Sequence, residues 1–317
     1  MNSQKNFVNI VVPQGTILGP ILFLLYVNYL SNSISNANIN IYADDVVIYC
    51  SDSEVHTLKY KMQNVMDKVN NWYEDNKLSL SFEKCTTMVI GNNRQEIKES
   101  FDIYLGSHLL EKVHSMKYLG VLIDDKLKWK EHSLSVSKRI NINNARLRRI
   151  HKTVPQRIRV KIHKAISEPI IDYAATVWGH FSKHISNDMS RLEHMAARAI
   201  TGNYDFINIR GSTLMSDLNL KPFLERHSYN TSLLAFKAIH NMVPDYISNS
   251  FTLSSEINER ILRYSYNRNL YLPKPSRDIF KKSLSYFVPH TWNQLPTELK
   301  NSKSLAHFKC MYKKMFP

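Results

Sequence analysis

The sequence predicts an α+β chain: an antiparallel sheet with helices over residues 1–125, followed by a mainly α-helical remainder. Three observations predict it. Between residues 38 and 124 the hydrophobic period alternates between 2 and 3.6, whereas beyond residue 130 apolar residues recur at helical spacing. The formal net charge of +15 is unevenly placed, with −4 over residues 1–125, +11 over 126–200 and +8 over 201–317. A hydrophobic content of 43% with 13 Phe, 17 Tyr and 4 Trp in 317 residues is enough for real cores. With only 8 Gly and 11 Pro, it excludes fibrous and largely disordered classes. Three regions are expected: 1–125, 126–200 and 201–317.

Taken in order, PQGTILGP at 13–20 reads as a turn-rich loop, with two Gly and two Pro in eight residues. The apolar run ILFLLYVNYL then predicts a buried helix of about three turns. NINIYADDVVIYC predicts two short strands around a turn, with Asp44 and Asp45 at its tip. Val55, Leu58, Met62, Val65, Val69 and Trp72 step by three or four and mark one face of a helix, capped by Ser51, Asp52 or Ser53. LSLSFEKCTTMVIG at 78–91 predicts a strand, NNRQEIKES a polar connection, and KYLGVLID at 117–124 another strand. Further on, Ile158, Ile162, Ile166 and Ile170 form an i+4 stripe. Leu192, Met195, Ala196, Ala199 and Ile200 form another such face, and a helix through Leu233 and Ile239 ends before Pro244. Residues 250–278 read as a long loop, and Trp178, Trp292 and Phe308 as core residues.

Three scattered cysteines, Cys50, Cys85 and Cys310, form no CxxC pair, so a disulfide scaffold and a zinc knuckle are excluded and reduced, intracellular thiols are expected. The longest apolar run, 17–30, contains Pro20 and Asn28 and falls short of a membrane span, and MNSQKNFVNI has no apolar signal core. No membrane partner is expected. A polyanion is the expected partner, because no acid lies between Glu131 and Glu168. Ten cations do: Lys138, Arg139, Arg146, Arg148, Arg149, Lys152, Arg157, Arg159, Lys161 and Lys164. Such a segment suits nucleic-acid phosphates with salt-dependent affinity; a solvated helix face is the plainer alternative.

Asp44 and Asp45 are adjacent carboxylates between apolar strands. Buried by those strands on both sides, as the sequence predicts, such a pair is costly, and a hard divalent cation such as Mg²⁺ offsets the cost. Two ions about 3.5–4 Å apart stabilise the attacking and leaving oxygens of nucleotidyl transfer. YADD alone is equally an Asp-rich turn. The ordered set of PQG-TILGP-ILFLLYVN, YADD, the segment around Lys84 and MKYLGVLID resembles the palm of reverse transcriptases from non-LTR retrotransposons of the LINE and jockey-like type. LNLKPFLERHSYNTSLLAFKAIHNMVPDYI and SLSYFVPHTWNQLPTELKNSKSLAHFK are similar to the C-terminal regions of the same elements.

The resemblance implies a partial polymerase palm, a helical thumb from about residue 130 and a C-terminal helical domain. It implies RNA-directed DNA synthesis with an RNA template, a DNA primer, deoxynucleotides and a two-ion Mg²⁺ site. Asp44 becomes the main metal ligand and Asp45 its helper, and Gln14 and Gly15 line the nucleotide and template site. Tyr42 and Ala43 underlie the primer end, and Lys84 protonates the leaving pyrophosphate or is an ordinary strand-end lysine. Tyr118, Leu119 and Gly120 lie beside the primer terminus. Departures accompany these matches. Asn28 is followed by Tyr29 where the family has Asp, Ser81 and Cys85 flank Lys84, and none of the twelve residues before Pro13 is Asp or Glu. A third metal-binding carboxylate and the fingers are therefore missing, and the chain alone is expected not to polymerise DNA. The alternative is a non-catalytic nucleic-acid-binding remnant that uses residues 138–164. No sequence feature indicates a specific protein partner.

Overall fold

The computed structural model describes residues 17–91, 101–179, 182–257, 268–275 and 277–316. Gln14 and Gly15, with the PQG motif, lie outside the described residues. The chain divides into two compact units, residues 1–127 and 128–317.

In the first unit the helix Val55–Asp75 is the organising element. Its expected face is the buried one: Val65, Val69 and Trp72 are buried, and Val55, Leu58 and Met62 pack against the same core with Leu30, Ile103 and Leu105. No side chain caps the helix in the usual position. Asp52 acts two residues earlier, accepting the Glu54 N–H at 3.0 Å and pairing with Lys61. The Glu54 N–H, then the Lys61 ammonium, hold the Asp52 carboxyl below the usual range.

Asn38–Tyr42 and Asp45–Tyr49 form the expected antiparallel hairpin, in the register Tyr42↔Asp45, Ile41↔Val46 and Ile39↔Ile48. Ile39, Ile41, Val46 and Ile48 turn to the core, because side chains alternate along a strand. The expected antiparallel sheet is not continuous among the described residues. It consists of four two-stranded ribbons, one of them parallel (Thr86–Thr87 with Glu111–Lys112). Gln63 ties the Tyr104–Leu105 ribbon to the long helix, donating to the Tyr104 carbonyl at 3.0 Å and accepting its N–H at 2.9 Å.

Four expectations in this unit are corrected. The apolar helix runs Leu18–Asn28, so Leu18, Gly19 and Pro20 lie in its first turn and not in a loop. A first-turn proline needs no N–H partner. This helix is also largely exposed: only Gly19 and Val27 are buried, while Leu18 and Leu25 are 63% and 61% exposed. It is apolar all round, so its sequence defines no buried stripe. Within 78–91 only residues 78–83 keep the period-2 burial of a strand, with Leu78, Leu80 and Phe82 against the core, and only Thr86–Thr87 pairs. Residues 117–124 are not one strand but parts of a hairpin, Ser115–Tyr118 with Val121–Asp124.

The second unit is helical. Helix Lys130–Arg149 packs along Lys183–Thr201, and Leu147, Ala197 and Ile200 share a core with Leu214, Met215 and Leu218 of the following segment. That core crosses the boundary expected at residue 200. A second core joins Phe236, Val288, Trp292, Leu299 and Phe308, and Trp178, Trp292 and Phe308 are fully buried and closed to bases. Within 250–278 the described part is less loop-like than expected. Leu253 bridges Leu270, and Asn293 brackets Leu270 with two hydrogen bonds of 2.8 Å.

The isoleucine stripe is displaced by one residue. The fully packed row is Arg159, His163, Ser167 and Ile171, at 6%, 2%, 1% and 0% exposure. The helix breaks at Ser167 into Gln156–Ile166 and Glu168–Asp172, and Ile166 is 49% exposed. The polar row faces a buried polar cluster: Asn143 Nδ2 donates to Ser167 Oγ, and the Arg226 guanidinium lies close enough to act on His163.

Burial first, then Arg226 and Lys164, pushes the His163 imidazole down to about 4 from an ordinary 6.5. A depressed folded pKa stabilises the fold fully above pH 6.5 and loses that contribution as pH falls toward 4. The loss attributable to His163 at pH 4.5 is about 2–3 kcal/mol. Urea unfolding at pH 7 and pH 4.5 is expected to show the His163→Leu variant losing that much less stability than the parent. Parallel losses in the two proteins would exclude a buried neutral His163.

Among the described residues no helix is long and apolar enough to cross a membrane. Cys50, Cys85 and Cys310 are all free thiols.

Candidate functional site

The hairpin between the two strands has a two-residue loop, Ala43–Asp44. Tight hairpins need positive φ in the loop to match strand twist, and Ala43 supplies it at φ +53°. Such a conformation is uncommon for a residue with a Cβ. It places Tyr42 and Asp45 side by side on the ribbon face opposite the core, with Asn38, Asn40, Val47 and Tyr49. Tyr42 is 64% exposed and Tyr49 49%. The polar alternation Asn38, Asn40, Tyr42, set against Ile39 and Ile41, is the signal in the sequence for this second face.

Asp44 and Asp45 are both exposed, which corrects the expectation of buried carboxylates. The ribbon face away from the core is open: Asn38, Asn40, Tyr42, Asp45 and Tyr49 on it are all exposed. Neither carboxylate has a hydrogen bond or ion pair among the described residues. Exposed, unpaired oxygen donors fit a hard divalent cation. Two adjacent carboxylates are fewer donors than such an ion takes. Among the described residues no three Asp, Glu, His or Cys gather as a further metal group.

Lys84 ends the short 3-10 turn Phe82–Lys84 and is exposed, so it is not on a strand as expected. Its backbone N–H bonds to the Ser81 carbonyl at 3.0 Å. No hydrogen bond or ion pair links it to the hairpin acids among the described residues. Tyr118, Leu119 and Gly120 form the tip of their own hairpin, with φ +45° at Leu119 and +82° at Gly120. Two consecutive positive φ values are what a two-residue turn of the primed type requires. Here Leu-Gly stands where Asn-Gly would have announced the turn. Gly120 is needed for its φ, not only for close approach.

Of the ten expected cations, nine are exposed and Arg159 is not. At 6% exposure it is removed from the basic surface, and among the described residues its Nε and Nη1 have no hydrogen-bond partner. On helix Lys130–Arg149, Lys138, Arg139, Arg146 and Arg149 fall on one side at 100° per residue. Arg148 points elsewhere, its guanidinium 5.1 Å from the centre of the Tyr204 ring. Arg157, Lys161 and Lys164 continue the exposed charge on Gln156–Ile166, where Lys164 also donates to the Asn219 carbonyl at 3.1 Å.

The reverse transcriptase (RNA-dependent DNA polymerase) family profile matches residues 1–123. The chain is 27% identical over 210 residues to an RNA-directed DNA polymerase from mobile element jockey of Drosophila funebris, covering 63% of this chain and 23% of that protein. It is 26% identical over 235 residues to a probable RNA-directed DNA polymerase from transposon BS of Drosophila melanogaster, covering 70% and 25%. A probable RNA-directed DNA polymerase from the X-element of the same fly is 23% identical over 232 residues, covering 70% and 25%. The chain therefore spans about a quarter of the length of these curated relatives.

Proposed function

We propose, from the reverse transcriptase profile over residues 1–123 and the similarity to the jockey and BS polymerases, that this chain is the part of an RNA-directed DNA polymerase that carries its Asp-Asp hairpin and a basic helical grip for template and primer. The observation that carries the reading is the hairpin tip, where Asp44 in the loop and Asp45 at the strand end stand exposed, with no hydrogen bond or ion pair among the described residues.

Asp44 is the principal ligand of a divalent metal, for which Mg²⁺ is our choice, and Asp45 its helper. Bound there, the ion supplies charge neutralisation at the reacting phosphate oxygens. Tyr42 and Ala43 support the primer end, with the Tyr42 ring free to lie against a base or sugar. Lys84 serves as proton donor to the departing pyrophosphate, a role its exposed ammonium permits. Leu119 and Gly120 contact the strand near the primer terminus, and Gln14 and Gly15 line the nucleotide and template site. Two carboxylates are too few for two ions, so these 317 residues alone are not expected to polymerise.

The basic face of the second unit supports a second reading, nucleic-acid binding without catalysis, which nine exposed cations favour. Affinity for a template–primer duplex is expected to fall steeply between about 50 and 200 mM salt, by up to about 10³–10⁵ if six to ten phosphates are contacted. Lys138→Glu, Arg146→Glu and Arg149→Glu together should weaken binding and flatten the salt slope in a fluorescence anisotropy titration. A salt-independent affinity, or one untouched by the triple change, overturns both readings of the basic face.

A further inference from the structure

The basic helix ends against a loop that its charge does not explain. Helix Lys183–Thr201 stops at Gly202, whose φ of +76° turns the chain, and residues 203–209 then carry Phe206 and Ile207 outward beside a half-buried Tyr204. Phe206 is 61% exposed and Ile207 94%. Apolar side chains this exposed usually sit on mobile tips, but this loop is held from inside. The Asp205 carboxylate accepts the Ile207 N–H at 3.0 Å, the Asn208 N–H at 2.9 Å and the Asn208 amide at 2.8 Å. Beneath it the buried Arg198 guanidinium donates to the Asp205 carbonyl at 2.9 Å and the Ile209 carbonyl at 2.6 Å. The same guanidinium lies 4.2 Å from the centre of the Phe206 ring. One face of the ring is thus seated on a fixed cation, and an exposure of 61% leaves the other face open. Tyr204 stands beside it, 6.4 Å between ring centres, with Arg148 of the basic helix over its own ring.

We propose that the Tyr204–Phe206 loop is a base-stacking platform for unpaired nucleotides of an RNA or DNA strand, set beside the C-terminal end of the basic helix Lys130–Arg149 on its Arg148 side. Fixed aromatic rings beside a row of cations are what single-strand binding uses: every base has a π-face, and the phosphates follow the charge. Guanidinium behind the ring and over its neighbour adds cation–π support and keeps the platform from collapsing inward. The charge complementarity comes from Arg148, over the Tyr204 ring, and from Lys152 and Arg210, which are exposed just beyond the helix and the loop in sequence. Duplex DNA offers no free base faces along its length, so the loop should favour single strands. The inference rests on the reading of the basic face as a nucleic-acid grip, and its test separates the two.

The test is anisotropy and 2-aminopurine fluorescence with the full 317-residue chain and a single-stranded oligonucleotide, made once as RNA and once as DNA. Phe206→Ala is expected to weaken binding about 5- to 100-fold on both strands, the range for losing one stacked base. It should abolish the 2-aminopurine quenching seen with the parent, leave the salt slope unchanged and leave the thermal melt intact. Phe206→Trp should restore affinity and quenching. The Lys138→Glu, Arg146→Glu, Arg149→Glu variant should instead flatten the slope. If Phe206→Ala binds like the parent while the charge-reversed variant does not, the platform is wrong and the basic grip stands. If neither change matters, both are wrong. If Phe206→Ala loses only binding to vesicles of anionic lipid, the loop belongs to a membrane surface and the proposal is overturned.

Discussion

Replacing Arg226 by methionine is expected to cost about 3–5 kcal/mol of stability, the range for removing one partner of a buried ion pair. Arg226 donates to Asp172 at 2.9 Å and to Glu193 at 2.7 Å, and also to the Lys221 carbonyl at 2.6 Å. Glu193 is 1% exposed and keeps only the Phe223 N–H, at 2.8 Å, once the guanidinium is gone. Burial already pushes the Glu193 carboxyl above its ordinary range against the pull of Arg226. The two acids raise the Arg226 guanidinium in spite of its own burial. Without Arg226 the Glu193 shift grows. A carboxyl whose folded pKa is raised favours the fold below its unfolded pKa, and that benefit is lost as pH rises through the folded value. The penalty should therefore be smaller at pH 5 than at pH 8 in urea unfolding, and Glu193→Gln should relieve part of it at pH 8. A pH-independent penalty would mean that Glu193 stays uncharged or finds another donor.

Arg159 provides the contrast. It is also buried, at 6% exposure, but among the described residues it has no acid in a salt bridge, and its Nε and Nη1 have no hydrogen-bond partner. Arg159→Met removes an unpaired cation without stranding a partner, so the same assay should show no loss or a gain of stability. Two buried arginines of one unit thus carry opposite signs. The difference lies in their partners and not in their burial.

What the sequence made legible was local. The helix Val55–Asp75 and the Asp44–Asp45 hairpin follow from side-chain periods that a single segment contains. The row Arg159, His163, Ser167 was invisible because the apolar stripe one position away is the stronger signal. Only tertiary contact with Asn143 and Arg226 decides which row goes inside. Lys84 was placed on a strand because Leu78, Leu80 and Phe82 alternate, and they do alternate in burial; a ladder also needs a neighbouring backbone, which period cannot report. The exposure of Asp44 and Asp45 has the same origin. Apolar residues on both sides in sequence are not apolar residues on both faces in space, and the ribbon leaves one face open. Tyr204 and Phe206 have no period at all; Gly202 followed by Asn203 and Asp205, a helix stop and two turn formers, was the available mark.

Primer extension by the 317-residue polypeptide is expected to remain at background with Mg²⁺ or Mn²⁺, and Asp44→Asn to leave that background unchanged. The reason is donor count. In-line nucleotidyl transfer uses two ions to stabilise the attacking and leaving oxygens, which calls for carboxylates from more than one strand. No Asp or Glu precedes Asp44 in these residues, and among the described residues no third acid joins the hairpin pair. Without that support the primer hydroxyl is not held in line, and positioning alone accounts for several kcal/mol of such a barrier. The hairpin should still bind a divalent ion weakly, since its carboxylates are exposed and unpaired. Mn²⁺ titration followed by water-proton relaxation should detect that binding in the parent and lose it in the Asp44→Asn, Asp45→Asn variant. Binding that survives the double change would place the metal elsewhere. Robust incorporation that Asp44→Asn abolishes would show instead that a further carboxylate of this chain completes the site.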